Sequence, residues 1–336
     1  MGRSVILEPG QVSFQVEPGE TVLEAALRQG VALPYGCRNG TCGTCRARLI
    51  SGSVGYEDGR PSALSAADHD AGEVLLCLAR PESDLKIRAR VLPAGDVRPH
   101  RFPVRVVSLS RVTDDVMIVR LRPPSAQPFR YLPGQFVDVL LKDGRRRSYS
   151  LATAPGRGEE LELHVRRVSG GAFSEYVFSQ MQEKALLRLE GPLGGFFWQE
   201  GVERPVLLVG GGTGIAPLKA MIEHAVDQNF SLPMHLYWGV RAGRDLYLGD
   251  RLRDLADQHA NFLFTPVFSA AEPNDDVNTR RGWVHEAVIA DYPDLADYQV
   301  YTSGPPAMID AAEAAFLARG LPRDQLLFDS FEWSVD

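Results

Sequence analysis

The four cysteines of this 336-residue chain stand at Cys37, Cys42, Cys45 and Cys77, a C-x4-C-x2-C-x31-C pattern that uses every cysteine present. That spacing suits two irons and two sulfides held in one tight coil, and such a [2Fe–2S] cluster moves electrons one at a time. Gly36, Gly40 and Gly43 let the backbone wrap so that its amides face the negative sulfurs. A structural zinc site calls for paired C-x2-C knuckles, and only one such pair is present. Disulfides call for an oxidising compartment and usually a small secreted domain, whereas this chain is long and reads without a signal peptide.

Three other stretches carry chemistry. Arg147-Ser148-Tyr149-Ser150, after the strand expected over 136–141, puts a guanidinium, a ring and hydroxyls on one short segment. If that strand is regular, Arg147 and Tyr149 share one face and Ser148 and Ser150 the other. Gly210-Gly211-Gly212-Thr213-Gly214 follows the apolar run 206–209 and precedes a helix near Pro217. Such a turn lets a pyrophosphate approach the backbone and meet the positive end of the helix. Ser303-Gly304-Pro305-Pro306 ends the run 300–302, with Met308 following. His164 and His285 belong to no metal-spaced pair and read by themselves as structural, and no Ser-His-Asp arrangement is legible.

These stretches need a scaffold of more than one domain, and 336 residues suffice for two or three. In residues 1–92, 5–7 and 12–16 read as strands around Pro9-Gly10. Thr21 and Glu24 form a capping box for a helix closed by Gly30, Ser65 and Asp68 suggest a second, and 74–78 is expected to carry Cys77 on a strand. Residues 93–102 are rich in proline and polar groups and read as a linker. Residues 103–202 alternate in short strands between turns at Pro123-Pro124, Pro133-Gly134, Asp143-Gly144 and Pro155-Gly156, the pattern of an antiparallel barrel. Residues 203–336 alternate buried strands (206–209, 235–238, 262–267, 300–302) with helices, the pattern of a parallel α/β nucleotide-binding domain. A net charge of −7 with no long basic stripe argues against nucleic acid, and no apolar run reaches the roughly 20 residues of a membrane helix. Thiolate ligands agree with a reducing cytoplasm.

The order strand, strand, helix, cysteine loop resembles the β-grasp [2Fe–2S] ferredoxin fold, and R-S-Y-S resembles the R-x-Y-S flavin motif of the ferredoxin–NADP reductase superfamily. The resemblance implies that Arg147 holds a flavin phosphate, Tyr149 packs on the isoalloxazine, and Ser148 and Ser150 line the site with the Ser150 hydroxyl near flavin N5. His164 and Val165, on the strand 161–165, are counted with the flavin residues. Gly171, Ala172, Phe173 and Ser174 open a helix whose amides, with the Ser174 hydroxyl, suit a second phosphate, favouring FAD over FMN. The glycine turn departs from G-x-G-x-x-G and matches the superfamily's nicotinamide turn, so Gly211, Gly212, Thr213 and Gly214, with Gly304 and Pro305, are expected to hold the dinucleotide. Ser303 stands where the family usually has cysteine beside the nicotinamide, a departure that bears on the efficiency of hydride transfer and not on its occurrence. In the loop 238–245, the two arginines Arg241 and Arg244 suit a 2′-phosphate (NADPH) and Asp245 a free 2′-hydroxyl (NADH); the acidic residue favours NADH. Relatives place a terminal aromatic near the flavin, which makes Phe331, in the final run that also holds Glu332 and Trp333, the candidate gate.

A hydride carries two electrons, a [2Fe–2S] cluster takes one, and a flavin handles either number, so the flavin stands between them. The whole chain resembles ferredoxin-containing NADH reductases that serve oxygenases. It is most similar to the CDP-6-deoxy-Δ3,4-glucoseen reductase branch, through 146–150, Glu190-Gly191-Pro192 with Phe196-Phe197, and 235–239. The implied partner is a protein electron acceptor, a sugar dehydrase or an oxygenase component. Rival readings are a redox-sensing or zinc-stabilised flavin module without a protein acceptor, and an NADH oxidase with a vestigial cluster.

Overall fold

The computed structural model describes residues 2–91, 99–125, 129–273, 275 and 279–331. The chain divides into two compact units, Met1–Val97 with Gly194–Phe196, and Arg98–Leu193 with Phe197–Asp336. Of the segment read as a linker, residues 93–98 lie outside the described residues, and the strand His100–Arg111 already covers its end.

The first unit is a five-stranded sheet in the order Val12–Val16, Arg3–Glu8, Leu85–Arg88, Arg46–Ser51, Glu73–Leu75. The first and last strands of the fold, Arg3–Glu8 and Leu85–Arg88, run parallel at its centre, and the other pairings are antiparallel. Alternating side chains Val5, Leu7, Phe14 and Val16 face the core, as their period of two requires. The helix Val22–Arg28 starts at the expected box, Thr21 accepting from the Glu24 amide and Glu24 from the Thr21 amide at 2.9 Å, and buries Val22, Leu23, Ala25 and Ala26. Cys77 differs from expectation: the strand stops at Leu75, and Cys77 sits in the turn that follows. The Leu78 and Ala79 amides fold back on Leu75 O, so the backbone closes a turn here instead of continuing the ladder.

The second unit holds two sheets. One is antiparallel, in the order Arg146–Ser150, Phe136–Leu140, Leu186–Leu193, His100–Arg111, Val116–Arg122, Leu161–Arg166, and its first and last strands meet at a Leu151–Leu163 bridge. Inward residues including Val119, Leu121, Val137, Leu163, Val165 and Leu189 fill it. The other sheet is parallel, in the order Arg280–Arg281, Phe262–Phe268, Met234–Val240, Val206–Gly211, Gln299–Gly304, Leu326–Ser330. Its strands read as nearly unbroken apolar runs because helices such as Ile215–Asp227 and Pro306–Leu317 pack against it. Strand order reverses between Val206–Gly211 and Gln299–Gly304, and ligands of such sheets bind outside the carboxyl ends of the strands at that point. Among the described residues no helix is long and apolar enough to cross a membrane.

Candidate functional site

The cysteine loop is held by its own backbone. The Cys37 amide points at the Cys42 sulfur at 3.4 Å and the Cys42 amide at the Cys37 sulfur at 3.3 Å, while the Gly40 amide serves Cys77. Gly40 has φ +79°, and a Cβ there would lie 2.5 Å from Leu78 Cδ1, so both conformation and space demand glycine. The sulfurs gather in two pairs, Cys37 with Cys42 and Cys45 with Cys77. Among the described residues no three metal-ligating side chains converge on one point as a single ion requires. Two thiolates for each of two irons is the donor set of a binuclear cluster, and these residues fit it.

The R-S-Y-S segment is a regular strand, with Val139 opposite Arg147, Val137 opposite Tyr149 and Phe136 opposite Ser150. Arg147 and Tyr149 therefore share a face, half-buried, and Ser148 turns to the other side, where it donates to Asp138 at 2.7 Å. The Tyr149 ring packs 5.3 Å from Phe173, which belongs to the helix Ala172–Ser179 capped by Gly171. Strand and helix N-terminus thus stand side by side, and a guanidinium, a ring and a helix N-terminus are a donor set that fits a flavin nucleotide. The Ser174 hydroxyl, in the first turn of that helix, accepts from the Val168 amide at 3.1 Å. Val165 points into the sheet's core, and His164 is fully buried.

At the strand-order reversal, Gly210 lies beside Ser303, and the turn Gly212–Gly214 folds against it so closely that a Cβ on Gly214 would collide with Ser303 O. Trp238 Nε1 donates to Gly212 O at 2.9 Å and fixes the turn. The Ser303 hydroxyl is wholly buried without a hydrogen-bond partner, a polar atom that a bound carboxamide would satisfy. A cavity of about 630 Å³ opens from this turn toward Arg241 and Asp245, walled by Arg166, Trp283, Pro305 and Met308. Its size and its glycine floor fit a dinucleotide. Arg241 is gripped by two carboxylates, Asp245 at 3.0 Å and Asp115 at 3.2 Å.

The second unit brings these two sets together. Ser150 Oγ donates to Asp329 Oδ2 at 3.4 Å, and Asp329 sits opposite Ser303 in the neighbouring strand. The Phe331 amide donates to Gly304 O at 2.9 Å, which places the candidate gate beside the same turn; Glu332 and Trp333 lie outside the described residues. Residues that sequence reasoning missed surround this joint. Lys219 and Glu223, on the helix Ile215–Asp227, and Glu162, on the strand Leu161–Arg166, form a buried ionic group. Burial would raise the Glu162 carboxyl, but the His164 hydrogen bond and the Lys219 charge outweigh it and hold the group at about 2. Burial keeps the His164 ring neutral, donating from Nε2 to Glu162 and accepting the Tyr247 hydroxyl at 2.9 Å. The one signal was a lysine inside the apolar run Ile215-Ala216-Pro217-Leu218-Lys219-Ala220-Met221.

Family models for a 2Fe-2S iron-sulfur cluster binding domain match residues 5–82, for an oxidoreductase FAD-binding domain residues 103–198, and for an oxidoreductase NAD-binding domain residues 208–314. The chain is 37% identical over 332 residues to the CDP-6-deoxy-L-threo-D-glycero-4-hexulose-3-dehydrase reductase of Yersinia pseudotuberculosis serotype I (strain IP32953), covering 98% of this chain and 99% of that one. It is 33% identical to the reductase component of phenol 2-monooxygenase from Pseudomonas sp. (strain CF600), over 100% of this chain and 96% of the other. The crystal structure of an Amycolatopsis cytochrome P450 reductase superposes with a TM-score of 0.78 at 34% identity, covering 98% of each chain. With cluster, flavin and nicotinamide modules matched in order, the chain belongs to the ferredoxin-containing NAD(P)H reductases of the ferredoxin–NADP reductase superfamily, which carry electrons from NADH through FAD to a [2Fe–2S] cluster.

Proposed function

We propose that this reductase, working in the cytoplasm, delivers single electrons to a dehydrase acting on a CDP-linked deoxysugar. The observation that carries this reading is the end-to-end likeness to the Yersinia dehydrase reductase. A second reading, service to an oxygenase component, draws on the phenol 2-monooxygenase reductase and on the P450 reductase fold. We take the modules as 1–92, 103–202 and 203–336, with 93–102 as linker.

FAD accepts a hydride and gives up electrons singly, and the cluster takes them one at a time. The protein's share is to bind, orient and exclude. With a flavin bound, Arg147 would hold its phosphate as a charge-assisted donor, Tyr149 would pack on the ring system, and the Ser150 hydroxyl would face the reacting edge of the ring. The turn 211–214, with Gly304 and Pro305, takes the pyrophosphate, and the Ser303 hydroxyl meets the nicotinamide carboxamide. Phe331, whose amide donates to Gly304 O, would cover the flavin and yield to the nicotinamide. NADH is the favoured donor, because Arg241 already answers to Asp115 and Asp245 and Arg244 to Glu272, while Asp245 suits a free 2′-hydroxyl.

The test is reconstitution. Purified holoenzyme is supplied with NADH and either a CDP-hexulose dehydrase or an oxygenase component, and product is counted against NADH consumed. Coupled turnover with the dehydrase and uncoupled NADH loss with the oxygenase is expected; the reverse pattern would move the protein to the second reading. NADPH should give the lower kcat/KM with either acceptor.

A further inference from the structure

We propose that Lys219 is a positioning residue for hydride transfer: its ammonium ties the helix that follows the nucleotide turn to the backbone just beyond Ser150, and so sets how closely nicotinamide and flavin approach. Lys219 is only 5% exposed, and its Nζ meets three oxygens, Ala152 O at 2.7 Å, Glu223 at 3.0 Å and Glu162 at 3.2 Å. An ammonium has three donors, so the coordination is complete. Glu223, one turn further along the helix, accepts from the Ala154 amide at 3.4 Å. One helix therefore grips the chain at 152 and at 154, and that helix begins at Ile215, directly after Gly212–Gly214. The gripped segment begins two residues after Ser150, where the strand Arg146–Ser150 ends.

Packing alone does not explain the arrangement. Replacing a buried ionic group by apolar side chains of similar volume is often neutral or stabilising, so such groups are best accounted for by what their directionality fixes. Here both carboxylate acceptors are themselves anchored: Glu162 by Arg120 at 3.1 Å and His164 at 3.0 Å, Glu223 by Arg251 at 2.6 Å. The strut is rigid at both ends, and neither Lys219 nor its partners belong to the glycine turn or the R-S-Y-S strand. Its loss should loosen the approach of the two rings without removing a group that binds either cofactor.

The inference rests on the reading of Ser150 as flavin-side and Gly212–Gly214 as dinucleotide-side. Stopped-flow reduction of the FAD-replete holoenzyme by NADH separates the two. In Lys219→Met, flavin reduction at saturating NADH should fall at least ~10-fold, since a displacement near 1 Å can cost about 100-fold in a transfer step. NAD⁺ affinity and FAD content should stay within about threefold, while the long-wavelength charge-transfer absorbance of the reduced protein with NAD⁺ weakens. A rate within about twofold of wild type, or damage confined to melting temperature and flavin retention, would overturn the proposal. If Lys219→Met does not yield folded holoenzyme, Lys219→Gln is judged by the same rate criterion. Wild-type holoenzyme that NADH fails to bleach would remove the underlying reading as well.

Discussion

The cysteine loop and the joint around Lys219 both hold charge in a protected place, and they do so in opposite ways. The loop is local: three of its ligands lie in one turn-rich stretch, its amides serve its own sulfurs, and Gly40 is required there by conformation and space. The joint is assembled from distant segments, Ala152, Glu162, Lys219 and Glu223, and Ser150 reaches across 179 residues to Asp329. A local site can be lost without disturbing the rest of the molecule. A site built from distant parts carries the geometry between two cofactors.

The largest expected effect breaks the local site. Cys42→Ser removes one of the four thiolates and should abolish the iron–sulfur absorbance while FAD stays bound, because the flavin residues lie in the other compact unit. NADH-driven reduction of two-electron dyes should survive and cytochrome c reduction should collapse. Equal loss of both activities would contradict the separation drawn here.

Arg147→Ala comes next. A charge-assisted phosphate contact is worth roughly 1.5–3 kcal/mol, so flavin affinity should drop by about 10–150-fold. Full flavin retention through gel filtration would show that the R-S-Y-S strand does not hold the phosphate.

The parallel sheet offers a pH test. Burial pushes the His235 imidazole from 6.5 down to about 4, with Tyr292 OH at 2.9 Å and Thr265 Oγ1 at 2.8 Å as partners. The unfolded ring takes a proton that the folded one refuses. Its stabilising contribution is therefore complete above pH 6.5 and is lost as pH falls toward 4, roughly 2–3 kcal/mol across that window. Chemical denaturation from pH 7 to 4 should show a steeper loss for wild type than for His235→Asn; identical slopes would mean that the ring titrates normally.

Much of this molecule was legible because it is local. Cysteine spacing, capping boxes at Thr21 and Ser65, the glycine turn and strand periodicity all depend on residues a few positions apart, and the structure keeps them. Two features escaped for a common reason. Cys77 was assigned to a strand on its apolar neighbours, yet the ladder ends at Leu75 because the backbone closes a turn there. Lys219 and Glu223 look like the polar face of a helix until another strand covers them. In each case the missing information was which segment packs against the residue.

The smallest effects are at the gate and at the departure from family pattern. Phe331→Ala should tighten NAD⁺ binding a few-fold and perturb the flavin spectrum, with little change in melting temperature; unchanged affinity with clear destabilisation would assign the ring to packing. Ser303→Cys should leave both cofactors bound and hold or raise the rate of flavin reduction. A large fall would place Ser303 away from the nicotinamide.

The central claim is an ordered path, NADH to FAD to cluster, and an anaerobic NADH titration followed by absorbance and electron paramagnetic resonance tests it most directly. Holoenzyme should consume about one and a half NADH per chain and develop the signal of a reduced [2Fe–2S] centre, two electrons resting on the flavin and one on the cluster. Protein stripped of FAD should keep its oxidised cluster whatever NADH is added. A cluster reduced without flavin, or a flavin bleached beside a cluster that never changes, would contradict the path.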